Sequence, residues 1–540
     1  MNPIFWTSFA AEIPGIESHL LPHPHMDLVQ DLSLNKGSLD PIFGPSLTAP
    51  LDKPGTKMTI RRWPNSLVSD SLYWFHWLTD VDMTKGPLKN DTQERVFYTG
   101  DGVPKWTDST MATGGAALPF ASMILGIPAP SAPTIAASGV GSGVAQTVLT
   151  AYAFVNSIGE IGPLSPASGS VSMLPGQTIT VSGMDSAPPG AYNFTQKYVY
   201  LSQTDSNGNT EFRFWKSVGI GVASTAGLIG ILVESPISPS PIAPPVNLFG
   251  LGLHPNGFLY GFTKNKFHRS DVFRPYAWPD AYVDPIGDDI IGGVAFGSSI
   301  AIITDKGAKL ATGVDPLNQN ISTITGAMPG VSKRSIAMSE RGVYYVVPSG
   351  IGRITPNGGF ELLTEGRVDL AWWQARSPAS MHAVLQDERY FVWWDNGTIR
   401  GLMIFDFRSN SFALTESTVY ASAAYVEPRT LGLFMALPPN DTLYKWDAGS
   451  SKLTMKARSA EIRLNHAQNV GGARVRASGY PLTFRFYGNG TLRSTRTVLD
   501  DKPFTLNGSN SYNRCYWEVS STFKITEVGV ASCVEDFANV

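Results

Sequence analysis

The sequence predicts an all-β fold, and three observations support this prediction. Short apolar runs bounded by Gly, Asn, Asp and Pro recur along the chain, as strands between turns do. No long segment has the 3.6-residue hydrophobic period of an amphipathic helix. The chain of 540 residues contains 53 Gly and 39 Pro and is only 16% charged, which favours many turns over long solvated helices. The clearest strands are 300–304, 343–347 and 390–394, each followed at once by a turn sequence.

The predicted strands between residues 250 and 455 come in sets that match the blades of a β-propeller. The sets recur about every 35 to 45 residues, and each supplies about four strands, which is the size of one blade. The Trp446-Asp447 pair occurs once and therefore gives no repeat signature. The spacing favours a propeller over a string of sandwiches. The sets are 257–267, 290–312, 334–363, 381–414 and 421–453.

Residues 127–245 are predicted to form a separate β-sandwich of fibronectin or immunoglobulin type, inserted into the propeller body. Proline clusters stand at both ends of this region, as they do at domain boundaries and stiff linkers. Alternating runs at 149–155, 197–201 and 212–215 supply its strands. Further alternating runs at 482–487, 515–519 and 525–528 predict a C-terminal β module.

The predicted organisation therefore has five segments. They are an N-terminal extended arm with the first strands at 1–57, a first propeller-blade region at 58–126, the inserted sandwich at 127–245, the remaining blades at 246–455 and the C-terminal β module at 456–540.

Charge and cysteine content exclude several classes of protein. With 41 Lys and Arg against 44 Asp and Glu, the net charge is −3, so a dedicated phosphate-binding surface is not expected. The two cysteines, Cys515 and Cys533, cannot build a disulfide framework or a four-thiolate metal site, and the sequence leaves open whether they pair.

The weakly polar run 218–233 is shorter than a membrane-spanning helix. The first thirty residues have prolines and acidic residues where a targeting segment has a basic and then an apolar region.

Several segments resemble, in chain order, the tail nozzle proteins (tail tubular protein B-like) of short-tailed bacteriophages. The resemblance is carried by short motifs and extends over most of the chain. Those motifs are LSLNKGSL at 32–39, LYWFHWLTDVD at 72–82, RVFYTGDG at 95–102, YAFVNSIGEIGPLSP at 152–166, KYVYLS at 197–202, IITDKG at 302–307, VSKRS at 331–335, GVYY at 342–345 and KITEVGVAS at 524–532.

The resemblance implies a structural protein of the virion without enzymatic activity or cofactor. Six copies would form a ring at the distal end of the tail, each with a propeller and an inserted platform domain. The ring would continue the DNA channel, retain the genome and open on contact with the host. Its partners would be the tail adaptor ring, the tail fibres or spikes and, non-specifically, the passing DNA. Assembly would take place in the host bacterial cytoplasm. The glycine-rich segment 219–230 is a candidate for the loop that gates the channel.

Two alternatives from other functional classes remain at this point. A glycan depolymerase or hydrolase needs two carboxyl groups beside an aromatic platform, and either Asp80 or Asp82 would be its catalytic acid. Acidic residues in turns more often bind their own backbone. The residues considered for this chemistry are Asp80, Asp82, Asp91 and Asp101 with Trp74, Trp77 and Arg95, then the Asp288-Asp289 pair and Asp395.

A carbohydrate-binding adhesin is the second alternative. In such a protein the pairs Trp372-Trp373 and Trp393-Trp394 would stack on sugar rings. Burial in the core is the commoner fate of such pairs.

Three further motifs have features of ligand sites, but none is predicted to be one. His19, His23 and His25 are close in sequence, but the intervening prolines exclude a helical pair, so an extended arm is expected. The DSNGN sequence at 205–209 resembles the start of a calcium loop, yet Lys216 stands where the bidentate acid belongs, so a hairpin turn is expected. The glycine-rich sequence at 139–143 is expected to be a linker. We therefore predict no catalytic, cofactor-binding or metal-binding residue.

Overall fold

The computed structural model describes residues 3–34, 37–63, 73–89, 91–204, 210–232, 234–408, 413–439, 442–507 and 511–539. Strands make up 47% of the chain and helices 5%, which confirms the all-β prediction. Contacts within the chain define two compact units. The first comprises Met1–Leu78, Ile303–Lys309 and Thr323–Val540, and the second comprises Thr79–Ile302 and Leu310–Ser322.

The second unit begins with a four-stranded antiparallel sheet whose strands follow one another in the chain. All four residues of its strand Val96–Thr99 are buried. Gly100 ends that strand at a φ of +97°, and a Cβ there would lie 2.1 Å from the carbonyl oxygen of Asp80, so only glycine fits. The strands are Asp82–Lys85, Val96–Thr99, Lys105–Thr107 and Met123–Ile124, with the short helix Ser109–Ala112 before the last.

The predicted sandwich follows in the same unit. Its core packs Ile179 and Val181 of one sheet against Tyr152, Val199 and Leu201 of another. The first sheet has the strands Thr134–Ser138, Thr178–Ser182 and Thr225–Leu228, the second has Thr150–Asn156, Phe194–Thr204 and Thr210–Gly219, and a two-stranded ribbon pairs Gln146–Val148 with Val171–Met173. Within the run 218–233, residues 218–228 are thus the end of one strand, a turn and an edge strand of the sandwich.

Four-stranded antiparallel sheets continue after the sandwich, again in chain order. The second strand of each sheet is almost wholly buried, as Gly342–Val347 shows at all six positions. The sheets are Phe249–Leu253, Leu259–Thr263, Lys266–Arg269 and Val283–Pro285, then Ile290–Phe296, Ser299–Thr304, Ala308–Thr312 and Asn320–Thr323, then Ala337–Ser339, Gly342–Val347, Gly350–Ile354 and Phe360–Leu362.

Two more blade-like sets lie in the first unit, and both recruit strands from elsewhere in the chain. Strand Ser46–Pro50 pairs with Thr442–Lys445 and completes the sheet of Ala423–Val426, Leu433–Ala436 and Thr442–Lys445. The preceding set continues into a ten-stranded sheet through a parallel pairing at Gln30 and Glu416. That sheet contains His382–Gln386, Arg389–Asp395, Arg400–Asp406, Ala413–Ser417, Met26–Gln30, Met455–Ser459, Ser511–Ser521, Leu482–Gly488, Thr491–Val498 and Ile462–Asn469.

The predicted C-terminal module has a core around Trp517, against which Trp6 packs edge to face at 5.4 Å. The remaining strands of the first unit form small sheets. These are Ile4–Trp6 with Ile525–Ala531, Gly472–Ala477 and Phe504–Thr505, then Leu32–Ser33 with Asp40–Pro41, and Thr59–Arg62 with Trp74–Trp77. The described helical segments besides Ser109–Ala112 are Ser18–Leu20, Asp280–Tyr282, Lys333–Ser335, Leu370–Gln374, Pro378–Ser380 and Glu535–Asn539.

The predicted fold class is confirmed: an all-β chain with sheets of propeller-blade type, an inserted sandwich and a C-terminal β module. The set expected at 421–453 differs from the prediction in one feature. Its fourth strand is Ser46–Pro50, which comes from the N-terminal region. The five segment boundaries stay a prediction. In the described residues, no helix is long and apolar enough to cross a membrane.

Candidate functional site

The acidic residues considered for glycan hydrolysis have separate structural partners. The carboxylate of Asp82 accepts a hydrogen bond from the backbone N–H of Gly250 at 2.8 Å. Asp101 binds Lys105 Nζ at 2.8 Å. Asp80 is also engaged in interactions. The contacts of Asp82 and Asp101 tie these two carboxylates to neighbouring structural groups.

The aromatic residues named beside those acids are buried. Trp74 and Trp77 are each 3% exposed, and the ring centroid of Trp74 lies 4.7 Å from that of Phe434. Neither ring presents a face to a ligand.

Arg95 is the centre of a buried charge cluster in the second unit, which we call the Arg95 node (Arg95, Asp91, Glu160 and Asn156). Arg95 Nε donates to Asp91 Oδ2 at 2.7 Å, and Nη1 donates to Glu160 Oε1 at 2.6 Å. The second oxygen of Glu160 accepts a hydrogen bond from Asn156 Nδ2 at 2.7 Å. The cluster joins the strand that begins at Val96 to the turn after the sandwich strand Thr150–Asn156.

Burial and charge act in opposite directions on Arg95. Burial disfavours the guanidinium, but the carboxylates of Glu160 and Asp91 outweigh it and raise the pKa of Arg95. The guanidinium also lies 5.9 Å from the ring centroids of both Phe97 and Trp106. Arg95 is therefore a permanently charged link that fixes the sandwich turn against the neighbouring sheet.

The sandwich contains an open cleft of about 850 Å³, which we call the sandwich cleft. Three exposed polar side chains line it, those of Gln146, Thr147 and Gln203, and within the described part of the chain they have no hydrogen-bond partner. Ser202 and Gln177 also line it, but their side chains already bind the backbone of Leu149 and Leu174. The apolar lining comes from Val148, Met173, Pro175 and the segment 228–232.

The charge of this cleft is as informative as its size. No Lys, Arg, Asp, Glu or His side chain is among its described lining residues. A charged ligand would find no counter-charge there, whereas a neutral polar ligand would find free donors and acceptors.

The three N-terminal histidines do not converge. His19 Nδ1 lies 3.2 Å from Glu17, within the turn Ser18–Leu20, and His25 Nδ1 is 2.7 Å from the carbonyl oxygen of Ala11. The ring of His23 faces Trp6 at 6.4 Å. Across the residues that the structure describes, no group of three His, Cys, Asp or Glu is arranged to hold a metal ion.

The tryptophan pairs considered for sugar stacking lie mostly in the core. Trp373 and Trp393 are fully buried, and Trp394 is 9% exposed. Trp372 is partly exposed, but the guanidinium of Arg376 covers its ring at 3.4 Å. These tryptophan pairs therefore pack mainly in the core, which is the more common role of such pairs.

The remaining candidate residues occupy turns. Asp395 accepts a hydrogen bond from the backbone of Gly397 at 2.8 Å, and Asp289 lies 3.6 Å from Lys264 Nζ. The glycine-rich sequence at 139–143 is a connection between two sandwich strands, as expected for a linker. The calcium-like sequence at 205–209 lies outside the described residues.

The structure answers the open question about the cysteines. Cys515 and Cys533 are both free thiols, the first buried and the second exposed. Burial raises the pKa of Cys515 to about 12, so this thiol is unreactive at neutral pH.

Sequence reasoning missed the Arg95 node and the sandwich cleft. Arg95 and Glu160 are separated by 65 residues, and no local pattern pairs them. The only signal in the sequence was that both residues stand in motifs of the tail nozzle resemblance. The uncharged stretch 218–233 is the sequence signal for the cleft, but its segment 219–230 is assigned from the sequence only as a candidate gate loop.

Comparison with known proteins identifies no family. No family model and no curated protein matches the chain. Among solved structures, the WD40 domain of Neurospora crassa Pan2 is 9% identical with a TM-score of 0.32, and the match covers 76% of this chain and 99% of that domain. The gluconolactonase XC5397 of Xanthomonas campestris is 10% identical with a TM-score of 0.24, covering 50% of this chain and 90% of that one.

A third match is the extracellular domain of BT4673 from B. thetaiotaomicron, 11% identical with a TM-score of 0.26 over 68% of this chain. The chain spans 47%, about half, of that protein's length. None of these three is a tail nozzle protein, and scores at this level carry no argument about activity.

Proposed function

We propose that this protein is a structural subunit of the distal tail nozzle of a short-tailed bacteriophage. Copies of it form a ring, six in the arrangement that the resemblance implies, which continues the DNA channel, retains the genome and opens at the host. It contacts the tail adaptor ring and the fibres or spikes, and it resides in the virion after assembly in the host cytoplasm. It has no catalytic activity of its own.

One observation carries this proposal beyond the resemblance itself. Charged residues of the resembling motifs make structural contacts: Asp82 binds Gly250 of another sheet, Asp101 binds Lys105 within one hairpin, and Arg95 binds Glu160 of the sandwich. A nozzle that opens mechanically requires charged residues that stabilise its structure in this way. A glycosidase instead needs two carboxyl groups free to face the sugar.

The charge balance supports a conduit as well. Affinity for DNA rises steeply with each phosphate that Lys or Arg neutralises, and a strongly basic lumen would therefore hold the genome in place. A chain with 41 basic and 44 acidic residues is suited to letting DNA slide.

The proposal is tested by measuring the mass and shape of the purified full-length chain. We expect mass photometry to show an assembly about six times 58.3 kDa, and electron microscopy to show a ring with an axial channel. The enzymatic alternative is tested on the same sample with bacterial capsular polysaccharide, comparing the natural chain with Asp82→Asn, which keeps an oxygen acceptor for Gly250. A stable monomer that cleaves the polysaccharide, and loses that activity in Asp82→Asn, contradicts the proposal.

A further inference from the structure

We propose that the sandwich cleft is a binding site for a neutral oligosaccharide. This inference does not depend on the proposed nozzle function. It starts from the three polar side chains that line the cleft without a partner in the described part of the chain, those of Gln146, Thr147 and Gln203.

These side chains match the chemistry of a sugar. A primary amide offers two donors and an acceptor, and a threonine hydroxyl offers one donor and two lone pairs. Sugar hydroxyl groups likewise donate and accept, so each of the three side chains can pair with a neutral glycan without a change of protonation. The described lining has no charged side chain that would select an anionic or cationic ligand.

The apolar part of the cleft fits the same ligand. Val148, Met173 and Leu228 stand beside the polar groups, and they provide surface for the C–H face of a sugar ring. The volume of about 850 Å³ lies within the range of roughly 300–1,000 Å³ that ligand sites occupy. Such a volume accommodates several sugar units.

The competing occupant is an apolar segment of another protein chain. Ile231 is 92% exposed at the rim of the cleft and would favour such a partner. An apolar surface, however, would bury the side-chain amides of Gln146 and Gln203 without hydrogen bonds, and each unsatisfied group would weaken binding. A glycan satisfies these groups and also covers the apolar rim, so the balance favours the glycan.

The test measures binding of three neutral probes to the full-length protein: maltohexaose, cellohexaose and mannohexaose. We expect saturation-transfer NMR and calorimetry to detect saturable binding of at least one of them. Gln146→Ala and Gln203→Ala should each weaken that binding about fivefold, since each removes one neutral hydrogen-bonding group.

Two bulky variants localise the site. Thr147→Trp fills the cleft from an exposed strand position and should abolish binding. Ala136→Trp is the matched control, because Ala136 is exposed on the sandwich strand Thr134–Ser138 but does not line the cleft, and it should leave binding unchanged.

Three results would overturn the inference. One is that none of the three hexasaccharides binds. Another is that Thr147→Trp and Ala136→Trp affect binding equally. The third is that Thr147→Trp changes the mass of the protein assembly in the absence of sugar, which would make the cleft a contact between subunits. A ring-shaped assembly that binds no sugar would refute this inference while leaving the nozzle proposal standing.

Discussion

At the scale of single residues, Arg95 illustrates how a buried charge can be retained in a chain with few charges. Its side chain is 9% exposed, and the carboxylates of Asp91 and Glu160 are 12% and 13% exposed. Removing a charge from water costs several kcal/mol, and only close opposite charges and hydrogen bonds offset that cost. The node is therefore sensitive to the loss of any one member.

We expect Arg95→Met to lower the free energy of unfolding by about 3 kcal/mol, because it leaves buried carboxylates without their counter-charge. Urea denaturation followed by tryptophan fluorescence measures the change. Arg213→Met is the matched control: the Arg213–Glu211 pair is 36% and 59% exposed, so its loss should cost less than about 1 kcal/mol. Equal effects of the two substitutions would contradict the structural role of the node. Adding Glu160→Gln to Arg95→Met should restore part of the loss.

His76 is a buried histidine that is held neutral. Its Nε2 accepts the backbone N–H of Lys53 at 3.1 Å, which leaves the proton on Nδ1 to be donated to the carbonyl oxygen of Trp74 at 3.0 Å. Burial lowers the pKa of His76 to about 4, and the charges of Lys53 and Lys57 act in the same direction.

This depressed pKa predicts a loss of stability in acid. Below pH 6.5 the unfolded chain binds a proton at His76 that the folded chain does not, so stability falls as the pH drops from about 6.5 towards about 4, by at most about 3 kcal/mol. In His76→Asn the free energy of unfolding should depend less steeply on pH in this window. The exposed His466 provides the control, and His466→Asn should leave the slope unchanged. A slope identical in both variants would show that His76 is not a source of the acid sensitivity.

At the scale of elements, strand Ser46–Pro50 pairs with a strand that is far away in the sequence. It pairs with Thr442–Lys445 in antiparallel register, with Ala49 opposite Leu443 and Leu47 opposite Tyr444. Ala49 is 6% exposed and belongs to a core with Phe434 and Leu443, whereas Leu47 is 64% exposed. Residues two positions apart share a face in a regular strand. Here the register shifts between Leu443 and Tyr444, and this β-bulge accounts for the different exposure of Leu47 and Ala49.

The difference in exposure between Ala49 and Leu47 gives a sharp test. Ala49→Asp places an unpaired carboxylate in the core and should lower the free energy of unfolding by about 3 kcal/mol or more. Leu47→Asp puts the same group into water and should change stability by less than about 0.5 kcal/mol. Thermal unfolding by circular dichroism compares the two variants. If Leu47→Asp proves the more damaging, the register of this strand is wrong.

At the scale of the whole molecule, the sequence predicted what depends on neighbouring residues. The apolar runs at 343–347 and 390–394 are strands because their burial and the turns that follow are encoded locally. Asp395 and Gly397 likewise form the expected turn, since an aspartate side chain can bind the backbone two residues ahead. The class of the fold followed from many such local signals.

What escaped prediction depends on residues that are distant in sequence. The pairing of Ala49 with Leu443 is one such case, because a strand at the edge of a set can complete a sheet anywhere in the chain. The Arg95–Glu160 contact is another, since charges on two turns meet only after both sheets are built. The sandwich cleft was missed for a related reason: it is lined by four separate stretches of chain, and none of them has a ligand-binding motif of its own.

The strand Ser46–Pro50 also sets the order in which the protein can be completed during synthesis. It leaves the ribosome early, but Thr442–Lys445, the strand that it pairs with, is made near the end of translation. Until then, the strand Ser46–Pro50 has no partner for its backbone hydrogen bonds. Unpaired strands of this kind are sites where nascent chains associate incorrectly. The sheet closes only when most of the chain has been made, so incompletely translated copies lack a finished sheet with which to enter an assembly.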